Sequence, residues 1–235
     1  MTTAVMAATA WRTNAEMIQD VVALGYIRPA DKVIDLTFGR GAWWAKYDHP
    51  GYFVAVFDSG DPDLDKSVIE HGRKAIYFGD YREMGFASNT FDVVTFDPPY
   101  VSMGGRSTSG LPDFMDRYGL KRAANSPKAL HEDNARGLSE AARLCRPGGF
   151  VMTKCAGYVS SGQYQPGDVW IAREAEELGL IPHDRLIHVG NARAQPPGRR
   201  QVHSRNNYSV LWVFKKPKAR KKEDPAHVAT HLPRH

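Results

Sequence analysis

Residues 91–100 read FDVVTFDPPY, an apolar run that ends in Asp97-Pro98-Pro99-Tyr100. A short run of β-branched and aromatic residues that is stopped by prolines is typical of a buried strand. The tetrapeptide after it suits a planar amino group. The Asp97 carboxylate can accept a hydrogen bond from an N–H, and the prolines leave nearby carbonyls free to accept another. Tyr100 offers a flat face on which a base can stack. The pattern predicts a ligand site at the end of this strand.

A second predicted strand, Lys32–Leu36, runs into the glycine turn, residues 37–41, whose sequence is TFGRG. Glycines let the backbone approach a ligand closely, and the N-terminus of a following helix favours a carboxylate. Asp35 lies at the end of this strand. In open α/β sheets, ligands bind outside the carboxyl ends of the strands. We therefore expect the two segments to meet at one edge of a sheet.

Together, the two segments resemble the methyltransferases that use S-adenosylmethionine on exocyclic amino groups of nucleic-acid bases, most often adenine N6. The resemblance covers roughly residues 11–216. It implies an α/β fold of the class I S-adenosylmethionine-dependent methyltransferase (Rossmann-like) type, a doubly wound, mostly parallel seven-stranded sheet with one antiparallel strand. It also implies S-adenosylmethionine as the cofactor and methylation of adenine N6 in DNA as the reaction.

The same resemblance assigns roles to the four residues of the tetrapeptide, which match the family's catalytic motif. Asp97 and the Pro98 carbonyl would each accept one N–H, which aims the nitrogen lone pair and stabilises its developing charge. Pro99 would fix the backbone, and Tyr100 would stack on a base that has been flipped out of its helix. The transfer would be direct and in line, without a covalent enzyme intermediate.

Four successive predicted strands end in an aspartate, and the first three fall on the cofactor side. Asp58 lies about twenty residues beyond the glycine turn, where an acidic residue can bind ribose hydroxyls. Asp80 could accept a hydrogen bond from the cofactor's adenine amino group. This family often folds an N-terminal segment over the methionine part of the cofactor, and Asn14 could contribute there. The predicted cofactor-binding residues are Asn14, Asp35, Thr37, Phe38, Gly39, Gly41, Asp58 and Asp80.

Several other chemistries are excluded or left open by the residues. The glycine turn departs from the commonest form of this family, because Arg40 stands where a small residue is usual. A phosphate-rich dinucleotide is disfavoured as the ligand, because the chain lacks the third glycine of a dinucleotide site and any Gly-Lys-Ser or Gly-Lys-Thr phosphate loop. Neither Cys145 nor Cys155 follows a proline, so methylation of cytosine C5 through a thiolate is set aside. Cytosine N4 and RNA adenine N6 remain open, as does a non-catalytic nucleic-acid-binding or partner subunit that retains the fold.

The composition favours a polyanionic partner. The 235 residues carry a formal net charge of +5. We expect DNA as the partner, with RNA as the alternative. The chain could act alone on a short site, form a homodimer or take its specificity from a partner. The predicted nucleic-acid-binding residues lie in the segments 101–126 and 191–206. They are Arg106, Arg117, Arg199, Arg200, His203 and Arg205.

The sequence predicts a cytoplasmic or nucleoid-associated protein, of a bacterium or a phage-infected cell, with no membrane segment. The N-terminus lacks the pattern of a secretory signal, and no run of about eighteen apolar residues occurs. Two cysteines are too few for a secreted disulfide framework. No metal is implied, because the histidines are scattered and no His/Cys spacing fits a zinc site.

Hydrophobic periodicity and turn residues predict strands that alternate with helices, with the last two strands antiparallel. The domain bounds that follow are a disordered N-terminus (1–10), a methyltransferase domain (11–216) and a basic disordered tail (217–235). The predicted helices are Ala15–Gly25, Ala42–Tyr47, Leu64–His71, Ala129–Leu144 and Val169–Leu178. The predicted strands are Lys32–Leu36, Tyr52–Phe57, Ala75–Phe78, Phe91–Phe96, Phe150–Cys155, Arg185–Val189 and Tyr208–Phe214.

Overall fold

The computed structural model describes residues 13–57, 68–99, 126–190, 200–204 and 206–218. The helices are α1 (Asn14–Ala23), α2 (Pro127–Leu144) and α3 (Gly167–Glu177). The strands are β1 (Val33–Asp35), β2 (Phe53–Phe57), β3 (Val68–His71), β4 (Lys74–Phe78), β5 (Phe91–Phe96), β6 (Cys145–Cys155), β7 (Tyr158–Ser160), β8 (Gln163–Gln165), β9 (Ile181–Val189) and β10 (Tyr208–Lys215).

An eight-stranded sheet in the order β3-β4-β2-β1-β5-β6-β10-β9 forms the centre of the described structure. Strands β4, β2, β1, β5 and β6 pair in parallel. Strand β10 is antiparallel to both β6 and β9, which confirms the predicted pairing of the last two strands. The chain moves outward from β1 through β2 to β4 and then crosses back to β5 on the other side of β1. This reversal of strand order is where open α/β sheets bind ligands.

The prediction of a helix over Leu64–His71 is wrong for its described part, because Val68–His71 form strand β3. This strand pairs antiparallel with β4, so the sheet has eight strands rather than seven and a second antiparallel member. His71 and Lys74 are opposite each other across a two-residue turn. Gly72 opens that turn with φ of 62°, a conformation that glycine adopts without strain. The β-branched pair Val68 and Ile69 also favours a strand over a helix.

The short helix predicted over Ala42–Tyr47 is also absent, and residues 42–46 form consecutive turns. The backbone N–H of Trp44 donates to Gly41 O at 3.0 Å, and that of Tyr47 donates to Trp44 O at 3.1 Å. A segment this short gains too few backbone hydrogen bonds to repay the cost of nucleating a helix. Its tryptophans instead bind to neighbouring elements, and Trp43 is buried.

A two-stranded hairpin, β7–β8, follows β6 and was not predicted. Its turn consists of Ser161 and Gly162, which both have positive φ, 49° and 76°. Positive φ at both positions is what a two-residue turn of type I′ requires, and glycine adopts it readily. The surrounding sequence is polar and lacks the alternation that reveals a half-buried strand. The hairpin extends beyond the carboxyl end of β6, on the same edge of the sheet as the end of β5.

The central strands of the sheet are buried on both faces, as their apolar runs predict, whereas the edge strand β3 is exposed. Along β1, Val33 packs with the α1 face and Ile34 with the opposite face. Helix α2 packs closely on β5, because a Cβ at Gly137 would overlap the ring of Phe96. This contact fixes α2 beside the segment that follows β5. None of the helices in the described ranges is long and apolar enough to span a membrane.

Candidate functional site

The glycine turn and the residues that follow β5 meet at one edge of the sheet. Strands β1 and β5 pair in parallel, with Asp35 opposite Thr95. The backbone N–H of Asp97 donates a hydrogen bond to the Thr37 hydroxyl at 2.7 Å. Two segments that are about sixty residues apart in sequence are thus joined directly. The predicted cofactor side and the predicted reacting side belong to one site.

The two carboxylate oxygens of Asp97 have different surroundings. Oδ2 accepts a hydrogen bond from the indole Nε1–H of Trp43 at 3.0 Å. Oδ1 is buried, and no described residue donates to it. A buried acceptor without a partner is uncommon in folded proteins and requires an explanation. Here, the free oxygen can accept an N–H from a ligand.

The pKa of Asp97 is raised above its usual range, because burial disfavours the charged form. The positive charge of Lys154 on β6, the Trp43 hydrogen bond and His188 on β9 oppose this rise. Lys154 is itself buried, with 4% of its surface exposed. The carboxylate is therefore a partly compensated buried charge, which makes it a stronger acceptor than one in water.

Asp35 has no oxygen left over, because both accept from its own chain. Oδ1 accepts from the backbone N–H of Thr37 at 3.0 Å, and Oδ2 accepts from the indole of Trp44 at 2.6 Å. Burial raises the pKa of Asp35 to about 6; hydrogen bonds with Trp44, Thr37 and Thr95 reduce this rise, and the negative charge of Asp97 adds to it. Asp35 therefore holds the glycine turn in shape. Its predicted contact with the cofactor would have to share these oxygens.

The glycine turn has the backbone conformation that its sequence predicts. Gly39 and Gly41 have φ of 53° and 69°, in the left-handed region that favours glycine. A Cβ on Gly41 would lie 2.8 Å from the ring of Phe38. That ring packs against Phe57 and Phe53, with centroids 5.3 and 6.1 Å away. Phe38 thus covers the turn from the side of β2.

The first turn of α1 lies next to the turns that follow the glycine turn. Thr13 caps the helix and forms a reciprocal capping box with Glu16. The Glu16 carboxylate accepts a bond from Lys46 at 2.9 Å, which ties α1 to residues 42–46. Asn14 is the first residue of the helix, and its buried side-chain Oδ1 has no partner among the described residues. This orphaned acceptor fits the predicted position of Asn14 at the methionine part of the cofactor.

The prolines after Asp97 are held by a residue that the sequence analysis missed. The side-chain amide of Asn134, on α2, donates to the Pro99 carbonyl at 3.0 Å. Asn134 is 6% exposed and lies between Leu130 and Leu138, which are buried on the same helix. A lone asparagine within the apolar stripe of a helix is the signal that could have identified it. Trp43 and Trp44 were missed as well, because their segment was interpreted as a helix.

Asp80 is already engaged with a neighbouring arginine. Its carboxylate accepts from the Arg82 side chain at 2.7 and 2.8 Å and from the Arg82 backbone N–H at 2.8 Å. Arg82 also donates to Asp133 on α2 at 2.7 Å. Burial alone would raise the pKa of Asp80, but its bonds to Arg82 outweigh that effect and lower the pKa. The predicted contact of Asp80 with the cofactor adenine stays a prediction.

The described residues of the segment 191–206, which connects β9 to β10, lie against the β7–β8 hairpin. We call this segment the polar loop. Arg200 and His203 are exposed, and His203 Nε2 is 3.0 Å from Gly162 O at the hairpin turn. The side-chain amide of Asn206 donates to Gly157 O. The loop and the hairpin therefore form one surface beside the site. Six of the predicted site residues lie outside the described ranges, namely Asp58, Tyr100, Arg106, Arg117, Arg199 and Arg205.

A cavity of about 30 Å³ lies between α2, α3 and the end of β6. His131, Asn134 and Tyr158 are among its lining residues. This volume suits one or two water molecules and is too small for a nucleobase. Burial lowers the pKa of His131 to about 4, so this histidine is neutral near pH 7. In the described ranges, no group of three or more His, Cys, Asp or Glu side chains is placed to hold a metal ion.

A comparison with protein-family models gives no match, and a sequence comparison with curated proteins gives none either. Solved structures, in contrast, resemble this chain. A candidate methyltransferase from Bacillus halodurans C-125 is 13% identical, with a TM-score of 0.51, over 86% of this chain and 100% of that one. The [4+2]-cyclase SpnF is 11% identical, with a TM-score of 0.51, over 87% of this chain and 82% of that one.

A candidate DNA modification methylase from Thermus thermophilus, solved in complex with S-adenosyl-L-methionine, is 19% identical, with a TM-score of 0.41. The match covers 66% of this chain and 61% of that one, so this chain spans less than two thirds of its length. A cyclase among the similar structures means that the fold alone does not specify methyl transfer, and the reaction must be argued from the site. The sheet order and the likeness to the Bacillus halodurans protein confirm the predicted class I methyltransferase fold.

Proposed function

We propose that this protein is an S-adenosylmethionine-dependent methyltransferase that modifies the exocyclic amino group of a nucleic-acid base, adenine N6 in DNA. The observation that carries the proposal is the free Oδ1 of Asp97. It is a buried acceptor at the carboxyl end of β5, beside the glycine turn. An amino group of a base supplies the N–H that this oxygen lacks.

The residues around the glycine turn fit S-adenosylmethionine. The left-handed glycines allow close approach of the backbone, and the orphaned Oδ1 of Asn14 can accept from the cofactor's ammonium group. Asp35 and Thr37 hold the turn that would cradle it. When bound, the cofactor would supply a methyl group that is carried on its sulfonium sulfur. The bond from this methyl group to the amino nitrogen would form as the S–C bond breaks, and one N–H proton would leave to solvent.

The chain's own residues would orient the amino group for that reaction. An exocyclic amino group is a poor nucleophile, because its lone pair is delocalised into the ring. Accepting one N–H at Asp97 Oδ1 and the other at the Pro98 carbonyl would aim the lone pair and favour positive charge on the nitrogen. Asp97 is held in advance by Trp43 and Thr37, and Asn134 holds the Pro99 carbonyl, one residue beyond the Pro98 carbonyl. Tyr100 would stack on the base.

DNA is proposed as the substrate on the basis of charge and position. The net charge of +5 favours a polyanion, and the exposed Arg200 and His203 lie on the loop beside the site. An aspartate as the first motif residue favours adenine over cytosine N4, since enzymes of that second type more often have serine there. The proposed base would reach the site only after it leaves the duplex, as in other enzymes that act on bases.

The proposal is tested by mass spectrometry of nucleosides after incubation with labelled S-adenosylmethionine and duplex DNA, and separately with total RNA. We expect N6-methyladenine in DNA with the wild type and none with Asp97→Ala. Asp48→Ala is the matched control, because its side chain is 81% exposed and its ion pair with Lys74 contributes little. Asp97→Ala should still be stabilised against heating by S-adenosylmethionine, which separates lost chemistry from lost cofactor binding.

Other outcomes would change the proposal at defined points. Methylation of RNA alone, or of cytosine, would overturn the substrate and leave the amino-group chemistry in place. Turnover that persists in Asp97→Ala would exclude the proposed role of this carboxylate. No methylated base, together with no thermal stabilisation by S-adenosylmethionine, would favour a binding subunit that retains the fold.

A further inference from the structure

We infer that Trp43 is a positioning residue of this site, whose indole holds one oxygen of Asp97 so that the other oxygen faces the target amino group. The inference rests on the proposed function and adds a residue to it. Trp43 does not touch the substrate in this scheme. It acts through the orientation of the carboxylate and through the stability of its charged form.

The geometry around Trp43 is that of a built support. Its side chain is 5% exposed and lies in the hydrophobic cluster between the sheet and α1. From this fixed place, its Nε1–H donates to Asp97 Oδ2 at 3.0 Å. An indole nitrogen can donate but cannot accept, so it always faces a carboxylate oxygen in the same sense. The indole therefore selects Oδ2 and leaves Oδ1 without a partner from the described residues.

A second feature is that the adjacent residue does the same for the other aspartate. Trp44 donates its indole Nε1–H to Asp35 Oδ2 at 2.6 Å. Consecutive indoles thus connect the segment after the glycine turn to both strand ends, β1 through Asp35 and β5 through Asp97. The two bonds differ in one respect, because Asp35 has its second oxygen occupied by Thr37 and Asp97 does not. With Trp44 in place, both oxygens of Asp35 have a donor, whereas Trp43 binds one oxygen of Asp97 and leaves the other open to a ligand.

Orientation matters here because the outer torsion of an aspartate is broad and roughly two-fold. Without a donor on one oxygen, the carboxylate plane could rotate and present either oxygen, or neither, to the amino group. The backbone is already fixed by the bond from Asp97 N–H to Thr37. The Trp43 hydrogen bond fixes the outer torsion of the side chain. A hydrogen bond to a charged group that is lost from such a site would lower kcat by about tenfold to a hundredfold.

Trp43 also supports the charge on Asp97, together with groups from other elements. Lys154 on β6 and His188 on β9 favour the ionised carboxylate, as does the Trp43 bond, while burial opposes ionisation. Asp35 on β1 and the thiol of Cys155 on β6 are the acidic groups that interact with it. Removing the indole N–H leaves the other groups in place, so the pKa of Asp97 should rise further. The loss of activity in acid should then begin at a higher pH.

The first test uses the free protein and needs no substrate. The chain has five tryptophans, so five indole N–H signals are expected in a nitrogen–proton NMR spectrum. Trp43→Phe assigns one signal, and that signal should shift with pH as Asp97 titrates. Asp97→Asn should abolish this titration and leave the Trp44 signal titrating with Asp35. A Trp43 signal that is insensitive to both pH and Asp97→Asn would overturn the inference. If Trp43→Phe does not fold, the Trp43 signal is assigned as the indole N–H signal whose shift with pH is lost in Asp97→Asn.

The second test compares Trp43→Phe with Trp44→Phe in the methylation assay. We expect Trp43→Phe to lower kcat by about tenfold to a hundredfold at saturating cofactor, and to move the acidic limb of the kcat profile to higher pH. Trp44→Phe should act mainly on the affinity for S-adenosylmethionine. An active wild type whose kcat and acidic limb are unchanged by Trp43→Phe would overturn the inference alone. A wild type that methylates no base would overturn the proposed function, and the NMR test would still decide the hydrogen bond.

Discussion

Asp35 and Asp97 lie at the ends of neighbouring parallel strands, and each accepts a hydrogen bond from one of two consecutive tryptophans. They differ in the second oxygen of each carboxylate. Asp35 uses it to bind the backbone N–H of Thr37, within its own turn. In Asp97 the corresponding oxygen is buried and has no partner in the described ranges.

The comparison shows how a structural carboxylate can be told from one that is built to receive a ligand. Burial raises the pKa of both groups, so the titration shift alone does not separate them. The hydrogen-bond inventory does separate them, because folded proteins rarely leave a buried acceptor unused. Asp35 is a completed cluster that shapes the glycine turn. Asp97 is held on one side and open on the other.

The largest expected effect comes from removing the open acceptor. Asp97→Asn keeps the size of the side chain but replaces a charged acceptor with a neutral amide, which no longer stabilises positive charge on the target nitrogen. We expect kcat to fall by about a thousandfold, while the dissociation constant for S-adenosylmethionine changes by less than about threefold. Single-turnover kinetics and calorimetric titration measure the two quantities separately. A large loss of cofactor affinity with kcat retained would assign Asp97 to the cofactor and break the distinction from Asp35.

The next effect concerns stability, and it follows from the pKa of Asp35. This carboxyl group ionises near 6 in the folded protein, above its ordinary value of 3.8. The folded state therefore holds the proton more tightly, and the free energy of unfolding should fall as pH rises from about 4 to about 6. Asp35 would account for up to about 3 kcal/mol of this fall. Urea unfolding at several pH values in this range should show that the free energy of unfolding falls less steeply with pH in Asp35→Asn than in the wild type.

Asp48→Asn is the control for that measurement, because Asp48 is exposed and its pKa is lowered by Lys74. Its unfolding free energy should follow the wild-type pH dependence through the same range. Part of the slope should survive in Asp35→Asn, because burial also raises the pKa of Asp97. If the free energy of unfolding depended on pH equally in Asp35→Asn and the wild type, the pKa of Asp35 would not be raised in the folded protein.

The local sequence predicted the segments that carry this comparison. The apolar run of β5, the prolines after it and the glycines after β1 each act through their own backbone chemistry, so their conformations follow from neighbouring residues. The parallel sheet followed from the alternation of strands and helices, and the antiparallel β9–β10 pair from the lack of a helical pattern between the two strands.

The supports of the site could not be predicted in the same way. Trp43 and Asp97, or Asn134 and Pro99, are far apart in sequence and meet only because strands and helices pack. A tryptophan in a short apolar segment predicts burial, but not which carboxylate its N–H will reach. Strand β3 was missed for a related reason, since its stability comes from pairing with β4 rather than from its own pattern.

A smaller effect is expected at Asn134, which holds the Pro99 carbonyl, two residues after Asp97. Asn134→Leu removes the donor to the Pro99 carbonyl and also an amide oxygen that has no partner in the described ranges. The two changes offset each other in stability, so the free energy of unfolding should change by less than about 1 kcal/mol. We expect kcat to fall by about tenfold, because the backbone of Pro98 and Pro99 loses its hydrogen bond at the Pro99 carbonyl. An unchanged kcat in a folded variant would show that the prolines alone fix this backbone.

The smallest effect is expected at Asp80, the third strand-ending aspartate, and it asks which of the two types Asp80 belongs to. Its carboxylate already accepts two hydrogen bonds from Arg82 on each oxygen, so the cofactor's adenine amino group would have to share an oxygen with Arg82. We expect such a shared contact to be weak, so Asp80→Asn should raise the dissociation constant for S-adenosylmethionine by only about fivefold and leave kcat unchanged. Asp133→Asn is the matched control, because it removes the other carboxylate partner of Arg82 without a predicted cofactor contact. Equal affinities in both variants and the wild type would place Asp80 with Asp35, as a carboxylate fully used by its own chain.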